Sequence, residues 1–229
     1  GIAPFVGILA VIVVLLRLEP HNSAIVIIAC TAGAMLFLGG VKYRWFILGG
    51  CAMLLGLILI LGAGGYEASR ITAWQDPFSD PTDDGYQIIQ SLYAIGSGGL
   101  FGLGLGKSRQ KYLYLPFQYN DYIFAIACEE LGLVGAVGIM VLFALLILRG
   151  FWIARQAQTR FSTALAAGLI SLIAVQTILN LCVVTNLLPS TGIALPFFSY
   201  GGTALAVNLG EMGIVLNISR KRTIQEANT

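Results

Sequence analysis

Residues 115–132 read Leu-Pro-Phe-Gln-Tyr-Asn-Asp-Tyr-Ile-Phe-Ala-Ile-Ala-Cys-Glu-Glu-Leu-Gly, and the rest of the chain is organised around this stretch. It joins a long polar segment to a run, Leu131 to Leu148, that contains no charged residue. Pro116 suits the residues just before a helix, and Asn120 or Asp121 is predicted to be the N-cap. The stretch therefore marks the point at which a predicted helix enters apolar surroundings.

Three carboxylates, those of Asp121, Glu129 and Glu130, lie close to this point. An ionised acid costs about 2.5 to 3.5 kcal/mol at the centre of a bilayer and less near its edge. Acids in such a place indicate a function that needs them. The alternative is an N-cap followed by two interfacial acids that keep the helix end hydrated. The spacing alone leaves both interpretations open.

The composition is typical of a membrane protein. Of the 229 residues, 57% are hydrophobic and 10% are charged, which is too apolar for a soluble domain of this length. The four cysteines lie in or beside apolar runs and lack metal-ligand spacing, so neither a disulfide framework nor a zinc site is predicted. No signal peptide is recognisable, and the chain opens with Gly inside an apolar run, so we expect an N-terminally truncated protein.

The apolar runs predict an all-α fold, a polytopic membrane helix bundle that forms one domain over residues 1–229. A helix needs about 20 residues to cross a bilayer. The six predicted spans are Ile2–Leu16, Ala24–Val41, Trp45–Gly65, Leu131–Leu148, Phe161–Leu188 and about Ser199–Ser219.

Basic residues predict the orientation of this bundle. If the six spans alternate, one side holds Lys42, Arg44, Arg149, Arg155, Arg160, Arg220, Lys221 and Arg222. The other side holds Arg17, Arg70, Lys107, Arg109 and Lys111, with nearly all of the acids. The positive-inside rule then places the first group in the cytoplasm, with the C-terminus. The long loop, Tyr66 to Asn120, is predicted to be extracytoplasmic.

The long loop is expected to carry an amphipathic helix over Tyr86–Ile95, lying in the outer interface or packed across the bundle. The glycine-rich segment Gly96–Gly106 lacks the strand, the helix and the spacing of a nucleotide-binding fingerprint, so it predicts a close-packed turn. Lys107-Ser-Arg-Gln-Lys111 follows with three cations. These cations either contact an anionic headgroup or form a solvated basic turn.

Polar residues also occur inside the last two spans. Gln176 and Asn180 lie four residues apart and so stack on one helix face, where interhelical hydrogen bonds explain them. Glu211 either is a buried acid that needs a partner or lies near the inner boundary of its span.

Several long motifs, in order, resemble those of the SEDS membrane proteins (shape, elongation, division and sporulation). The matching pieces are Gly85-Tyr-Gln-Ile-Ile-Gln-Ser-Leu-Tyr-Ala-Ile-Gly-Ser-Gly-Gly-Leu-Phe-Gly102, Tyr114-Leu-Pro116, Asp121-Tyr-Ile-Phe-Ala125, Glu129-Glu-Leu-Gly132, Thr191-Gly-Ile-Ala-Leu-Pro-Phe-Phe-Ser-Tyr-Gly-Gly-Thr203 and Leu216-Asn-Ile-Ser219. The resemblance covers roughly Leu18 to Ser219. The family's bundle usually has more spans, which again implies that N-terminal helices are missing.

Two positions depart from the family pattern. The family often reads Leu-Pro-Glu ahead of its acidic residue, and Phe117 replaces that Glu here. An outer turn often written Gln-Pro-Asp appears as Glu19-Pro20-His21. If that aspartate has a role in relatives, Glu19 and His21 must substitute for it or the role is absent. The division, elongation and sporulation subfamilies all stay open.

The resemblance implies a peptidoglycan glycosyltransferase that joins lipid II units at the outer membrane face. Asp121 is then the catalytic base, and the leaving polyprenyl pyrophosphate meets Arg70, Lys107, Arg109 and Lys111. Three further residues in or beside the matching motifs join the substrate-binding candidates: Gln87, Glu129 and Ser199. A divalent cation, Mg²⁺ or Mn²⁺, near Asp121 is compatible with this chemistry, although the sequence shows no ligand set.

Two other functions stay open. A flippase or transporter for the same lipid would use Glu211 and the polar face of the fifth span. A non-catalytic scaffold would only anchor a cell-wall transpeptidase. By resemblance, the expected partners are lipid II, membrane lipid, a class B penicillin-binding protein and divisome or elongasome proteins, and no nucleic acid. The expected location is the bacterial cell membrane.

Overall fold

The computed structural model describes residues 3–19, 22–45, 49, 66–79, 81, 85–110 and 120–226. Within these ranges the chain forms α-helices and no β-strand. The helices are α1 (Ala3–Leu18), α2 (Asn22–Leu38), α3 (Tyr66–Gln75), α4 (Tyr86–Ser97), α5 (Ile123–Arg155), α6 (Arg160–Val184) and α7 (Gly202–Glu226). The all-α class predicted from the sequence is confirmed for this part of the chain.

The helices α5 and α6 form the central antiparallel pair of the bundle. Both are long and apolar enough to cross a membrane, and α1 and α2 are shorter apolar helices. The 33 residues of α5 include one non-helical residue, Gly132, and the segment after it, residues 133–155, is about 35 Å long at 1.5 Å per residue. The pair is joined by residues 156–159, where the Thr159 side chain caps α6 by accepting a hydrogen bond from the Ser162 N–H at 3.1 Å.

Several predicted boundaries were wrong. Helix α5 begins at Ile123 and contains a break at Gly132, next to the predicted start of the span at Leu131; the turns before the break are packed inside the protein, with Phe124, Ala125 and Cys128 buried. Its N-cap is Tyr122, without a side-chain cap bond, so the prediction of a cap at Asn120 or Asp121 was wrong.

The other predicted spans also shift. Helix α6 ends at Val184 rather than Leu188, since the chain turns at Asn186, which has a φ of 58°. Helix α7 begins at Gly202 rather than Ser199 and continues to Glu226. Helices α1 and α2 lie within three residues of the predicted bounds. Most of the predicted span Trp45–Gly65 falls outside the described residues.

Two opposite ends of the bundle are defined by what packs there. At the end that we call the arginine end, Ile218 of α7 packs against Ala154, Ala166 and Ala167, close to Arg155 and Arg160. One turn further in, Val215 of α7 packs with Ile153 and Ile170. The C-terminus of α5, the N-terminus of α6 and the C-terminal part of α7 therefore meet at the arginine end.

The other end, which we call the cap end, is covered by α3, α4 and residues 185–201, the link between α6 and α7. Ser91 of α4 donates to the Val184 carbonyl at 2.9 Å, and Trp74 of α3 donates to the Asn186 carbonyl at 3.0 Å. The Ser23 hydroxyl donates to the Thr191 carbonyl and brings the start of α2 to the same place. Helix α4 matches the predicted amphipathic helix, whereas α3 was not predicted.

Candidate active site around Asp121

Residues 120–122, the Asp121 turn, lie at the cap end and lead directly into α5. The Asn180 side chain of α6 donates to the Asp121 carbonyl at 2.7 Å, and the Ser199 hydroxyl donates to the Asn120 carbonyl at 2.5 Å. Ser199 also accepts a hydrogen bond from the Leu195 N–H at 2.7 Å. The backbone of the turn is thus bonded to both a bundle helix and the link.

The Asp121 carboxyl is half-buried, beside α3 and the link. Burial raises the pKa of this carboxyl above its ordinary value, and the positive charge of Arg70 offsets part of that rise. Arg70 is itself held by a hydrogen bond from its guanidinium to the Ser190 carbonyl at 2.8 Å. A methyl group placed on Gly192 would lie 3.4 Å from the Asp121 Oδ2 atom, so the link backbone forms a close wall of the site.

A second feature of the cap end is a break in α5 at Gly132, which has a φ of 67° and a ψ of −169°. The break frees backbone groups that bond to residues 98–110, which we call the glycine loop. The Leu103 and Gly104 N–H groups donate to the Glu129 and Glu130 carbonyls at 2.9 and 3.0 Å, and the Leu133 and Val134 N–H groups donate to the Gly99 and Leu100 carbonyls at 2.9 and 3.1 Å. The predicted close-packed turn is therefore hydrogen-bonded through its backbone to both sides of the break in α5. We call this set of hydrogen bonds the clasp.

Glycine is required on both sides of this clasp. A Cβ atom on Gly132 would lie 2.3 Å from the Gly102 nitrogen, and one on Gly102 would lie 2.1 Å from the Glu130 carbonyl oxygen. Neither distance accommodates a methyl group, because real Cβ atoms do not approach a neighbouring atom below 3.0 Å. The glycines of this loop serve close packing of two backbones.

The carboxylates of Glu129 and Glu130 continue the clasp. Glu129, only 1% exposed, accepts hydrogen bonds from the Ser108 hydroxyl at 2.5 Å and from the Arg109 and Gln110 N–H groups at 3.0 and 3.3 Å. Glu130 accepts from the Gly106 and Ser108 N–H groups at 2.9 and 3.3 Å. Both acids hold the glycine loop, so Glu129 is occupied by protein donors.

The cation candidates divide between three places. Arg70 lies beside Asp121, as described above. Lys107 and Arg109 are exposed side chains on the part of the glycine loop that the two glutamates hold. Lys111 lies outside the described residues, as do Phe117 and His21. Two exposed cations therefore lie on a backbone that is fixed by one buried acid, Glu129, and one half-buried acid, Glu130.

Other predicted site residues have different surroundings. Ser199 is occupied by its bonds to Asn120 and Leu195. Gln87 is half-buried in the first turn of α4 and makes no hydrogen bond to the Asp121 turn within the described residues. Sequence reasoning assigned Asn180 to helix packing and did not select Ser190 or Gly192. The one sequence feature that could have identified Asn180 as a site residue is its amide side chain inside an apolar span.

The described residues contain no group of three His, Cys, Asp or Glu side chains that could hold a metal ion. Asp121 therefore lacks a set of protein ligands there that fits the divalent cation considered above. We assign no step to such an ion.

Comparison with known proteins gives a consistent result. The family model described as "Cell cycle protein", for FtsW, RodA and SpoVE, matches residues 1–224. The chain is 43% identical over 220 residues to stage V sporulation protein E of Bacillus subtilis. It is 42% identical over 221 residues to the probable peptidoglycan glycosyltransferase FtsW of Geobacter sulfurreducens. Each alignment covers 96% of this chain, but only 60% and 59% of those relatives.

Solved structures show the same fold. A chain of a peptidoglycan synthase complex that coordinates polymerization and crosslinking superposes with a TM-score of 0.76 and 28% sequence identity, over 92% of this chain and 59% of that chain. A crystal structure of a mutant of the rod shape determining protein RodA of Thermus thermophilus gives a TM-score of 0.61 and 26% identity, over 94% of this chain and 57% of that chain.

Proposed function

Because the chain belongs to the FtsW, RodA and SpoVE family of cell cycle proteins, the SEDS family, we propose that it polymerises peptidoglycan. The substrate is lipid II, and the reaction joins its disaccharide units into glycan strands. The observation that carries the proposal is Asp121, half-buried beside Arg70 at one end of the bundle. A carboxylate with a raised pKa is a stronger base than a fully solvated one.

The proposed reaction needs one proton transfer and one displacement. The Asp121 carboxylate takes the proton of the acceptor sugar hydroxyl as its oxygen attacks the anomeric carbon of the donor. The bond from that carbon to the polyprenyl pyrophosphate breaks, and the electron pair leaves with the pyrophosphate. Attack opposite the leaving group inverts an α-linked donor into a β-linked glycan, and Asp121 then releases its proton to water.

The exposed cations of the glycine loop supply positive charge for the leaving pyrophosphate in this proposal. Lys107 and Arg109 sit on a backbone that Glu129 and Glu130 hold. Because this backbone is already held in place, it needs little reorganisation when negative charge develops on the leaving pyrophosphate. Lys111 joins them by sequence.

Replacing Lys107, Arg109 and Lys111 together by Gln is expected to lower kcat/KM for lipid II by at least 100-fold. Each lost charge-assisted hydrogen bond is worth about 1.5 to 3 kcal/mol. The measurement is glycan formation at subsaturating lipid II. The matched control is the charge-preserving triple Lys107→Arg, Arg109→Lys and Lys111→Arg, which should keep most of the activity. Unchanged turnover in the Gln triple variant would contradict a role in pyrophosphate binding and would support the alternative interpretation, a solvated basic turn.

The second candidate function is translocation of lipid II, and one observation favours it. The half-buried Glu211 of α7 has a buried Oε2 atom without a hydrogen bond in the described part of the chain. Acids placed inside membrane bundles often mark substrate paths. The distinctive contacts around Asp121 lie at the cap end, however, which favours chemistry at a membrane surface.

One assay separates the two functions. The protein at full length, purified with its transpeptidase partner, is given lipid II in detergent and, separately, in sealed vesicles. Glycan chains in detergent support polymerisation. Lipid II translocation without any glycan product would refute it and support transport.

The membrane arrangement proposed for the bundle has six spans in one domain, with residues 66–120 outside the cytoplasm. The family consists of membrane proteins, and two described helices can cross a membrane. The arginine end carries Arg155, Arg160 and Arg220, as the positive-inside rule requires of a cytoplasmic side. Asp121 and the glycine loop then lie at the outer surface, where we place lipid II.

Impermeant thiol labelling of intact cells is expected to modify Ser79→Cys but not Gln158→Cys, each in a cysteine-free background. Both residues are exposed and lie at opposite ends of the bundle. Gln158 is preferable to its neighbour Thr159, whose side chain caps α6. Labelling after permeabilisation is the control for reactivity. The reverse pattern would overturn the orientation.

The proposed partner is a class B penicillin-binding protein acting with divisome or elongasome proteins. One similar solved structure is a peptidoglycan synthase complex. Co-purification of such a transpeptidase with the full-length protein tests this proposal, and its absence after mild solubilisation would count against it.

A further inference from the structure

We infer that Asn180 is a positioning residue for Asp121, holding the Asp121 turn against the link so that the carboxylate faces the wall formed by Gly192. This inference rests on the proposed function, since it assigns a role to the residue that places the proposed base. It assigns no contact between Asn180 and the substrate.

The hydrogen bonds of Asn180 carry the inference. Its Nδ2 atom donates to two backbone carbonyls, those of Asp121 and Ile193, each at 2.7 Å. Asp121 precedes α5, and Ile193 belongs to the link, so one amide group joins two non-helical segments. The Oδ1 atom of Asn180 accepts no hydrogen bond within the described residues. Asn180 therefore acts on the site through the two hydrogen bonds that its Nδ2 atom donates.

The location of Asn180 makes these bonds rigid. The side chain is 1% exposed, in the last turns of α6, so water does not compete for the two carbonyls. The neighbouring bonds act in the same direction: Ser199 holds Asn120 to the link, and Arg70 holds Ser190. Among the side chains of the described residues, that of Asn180 is the one that bonds to the backbone of Asp121 itself.

An ordinary packing role would also place an amide between helices. It would predict loss of folded protein on mutation, with unchanged activity in the molecules that still fold. A positioning role predicts a loss of kcat in folded molecules, because a displacement of about 1 Å in a catalytic group costs on the order of 100-fold in rate. The two roles therefore differ in a measurable quantity.

The test uses Asn180→Leu, which removes the donors while keeping a similar volume and no charge. The matched control is Asn208→Leu, the same change at another buried asparagine, on α7 and 9% exposed. Both are made in the full-length protein with its partner. Glycan synthesis is measured per molecule competent to bind fluorescent lipid II, so that misfolded protein does not count.

Asn180→Leu is expected to lower kcat by about 10- to 100-fold while KM changes by less than about threefold. Asn208→Leu should keep kcat within about twofold. Asn180→Gln, which retains an amide, should recover part of the loss. A wild-type kcat per competent molecule in Asn180→Leu would overturn the inference, and so would a loss confined to KM or shared equally by Asn208→Leu.

Failure of the proposed function gives a different result. If wild-type protein makes no glycan, or if Asp121→Asn is as active as wild type, the proposed polymerase or its proposed base is wrong. If Asp121→Asn is inactive and Asn180→Leu is fully active, only the positioning role of Asn180 is refuted.

Discussion

Asp121→Asn is expected to reduce glycan polymerisation by about 10² to 10⁴ in rate while the protein folds, reaches the membrane and binds its partner. Asn has nearly the size of Asp but cannot accept the proton of the attacking hydroxyl. Removing a positioned general base typically costs that factor. The measurement is single-turnover glycan synthesis from lipid II by the full-length protein, at matched expression.

The structure makes this substitution a cleaner test than the sequence alone could. Asp121 does not cap α5, because the N-cap is Tyr122 and no side chain caps that helix. Loss of the carboxylate therefore leaves the start of α5 intact. Asp76→Asn is the matched control, since Asp76 is an exposed acid at the same end of the protein. If Asp121→Asn makes glycan at the rate of Asp76→Asn, the base lies elsewhere.

The pH dependence of the wild type provides a second measurement on the same residue. Burial raises the pKa of Asp121 and Arg70 lowers it, with burial the larger effect. A base works only when deprotonated, so activity should fall on acidification at a pH above that of an ordinary aspartate. Arg70→Gln removes the lowering influence and should move this acid limb to higher pH. Arg70→Lys keeps the charge and should move it less. An acid limb that Arg70→Gln leaves unmoved would contradict the assignment to Asp121.

Gly132→Ala is expected to cost about 3 kcal/mol or more of stability and to abolish activity. The backbone of Gly132 has a φ of 67° and a ψ of −169°, a region that essentially only glycine occupies, and the strain there alone is about 1 to 3 kcal/mol. The added methyl group would also lie 2.3 Å from the Gly102 nitrogen. For a protein of this size the apparent Tm should fall by about 6 to 12 °C.

The matched control for that prediction lies in the same helix. A Cβ atom on Gly138 meets nothing within 4 Å, so Gly138→Ala introduces no clash. Alanine is favoured over glycine in a helix by about 1 kcal/mol, so stability should hold or rise. Thermal unfolding of both variants in detergent gives the comparison. Equal Tm values for Gly132→Ala and wild type would show that the break in α5 is not required.

Elements with strong local patterns were predictable from the sequence, and those that depend on long-range contacts were not. Residues 86–95 show an apolar face at helical spacing, and α4 is found there. Helix α3 has a mixed composition and no such face. It is held by the bonds that Arg70 and Trp74 make to the link, more than 100 residues away in sequence.

The candidate site divides in the same way. Asp121 stands out in sequence because an acid at the entry to an apolar run is costly, and Arg70 is close to it in the fold. Glu129 looked like a substrate ligand because sequence does not reveal that Ser108, Arg109 and Gln110 supply its hydrogen bonds. The predicted cap at Asn120 or Asp121 was wrong because hydrogen bonds from Ser199 and Asn180 hold these two residues in a turn, so the helix begins only at Ile123.

The clasp between α5 and the glycine loop also sets a limit on the length of that loop. Residues 103, 104, 106, 108, 109 and 110 each bond to a backbone or carboxylate oxygen of residues 129–130. Six of the eight residues from 103 to 110 are thus held at fixed points on two adjacent residues of α5, which leaves the loop little slack. An inserted or deleted residue between two of these points would displace a bonded donor from its acceptor. The length of the loop, as much as its composition, therefore determines the position of its cations relative to Asp121.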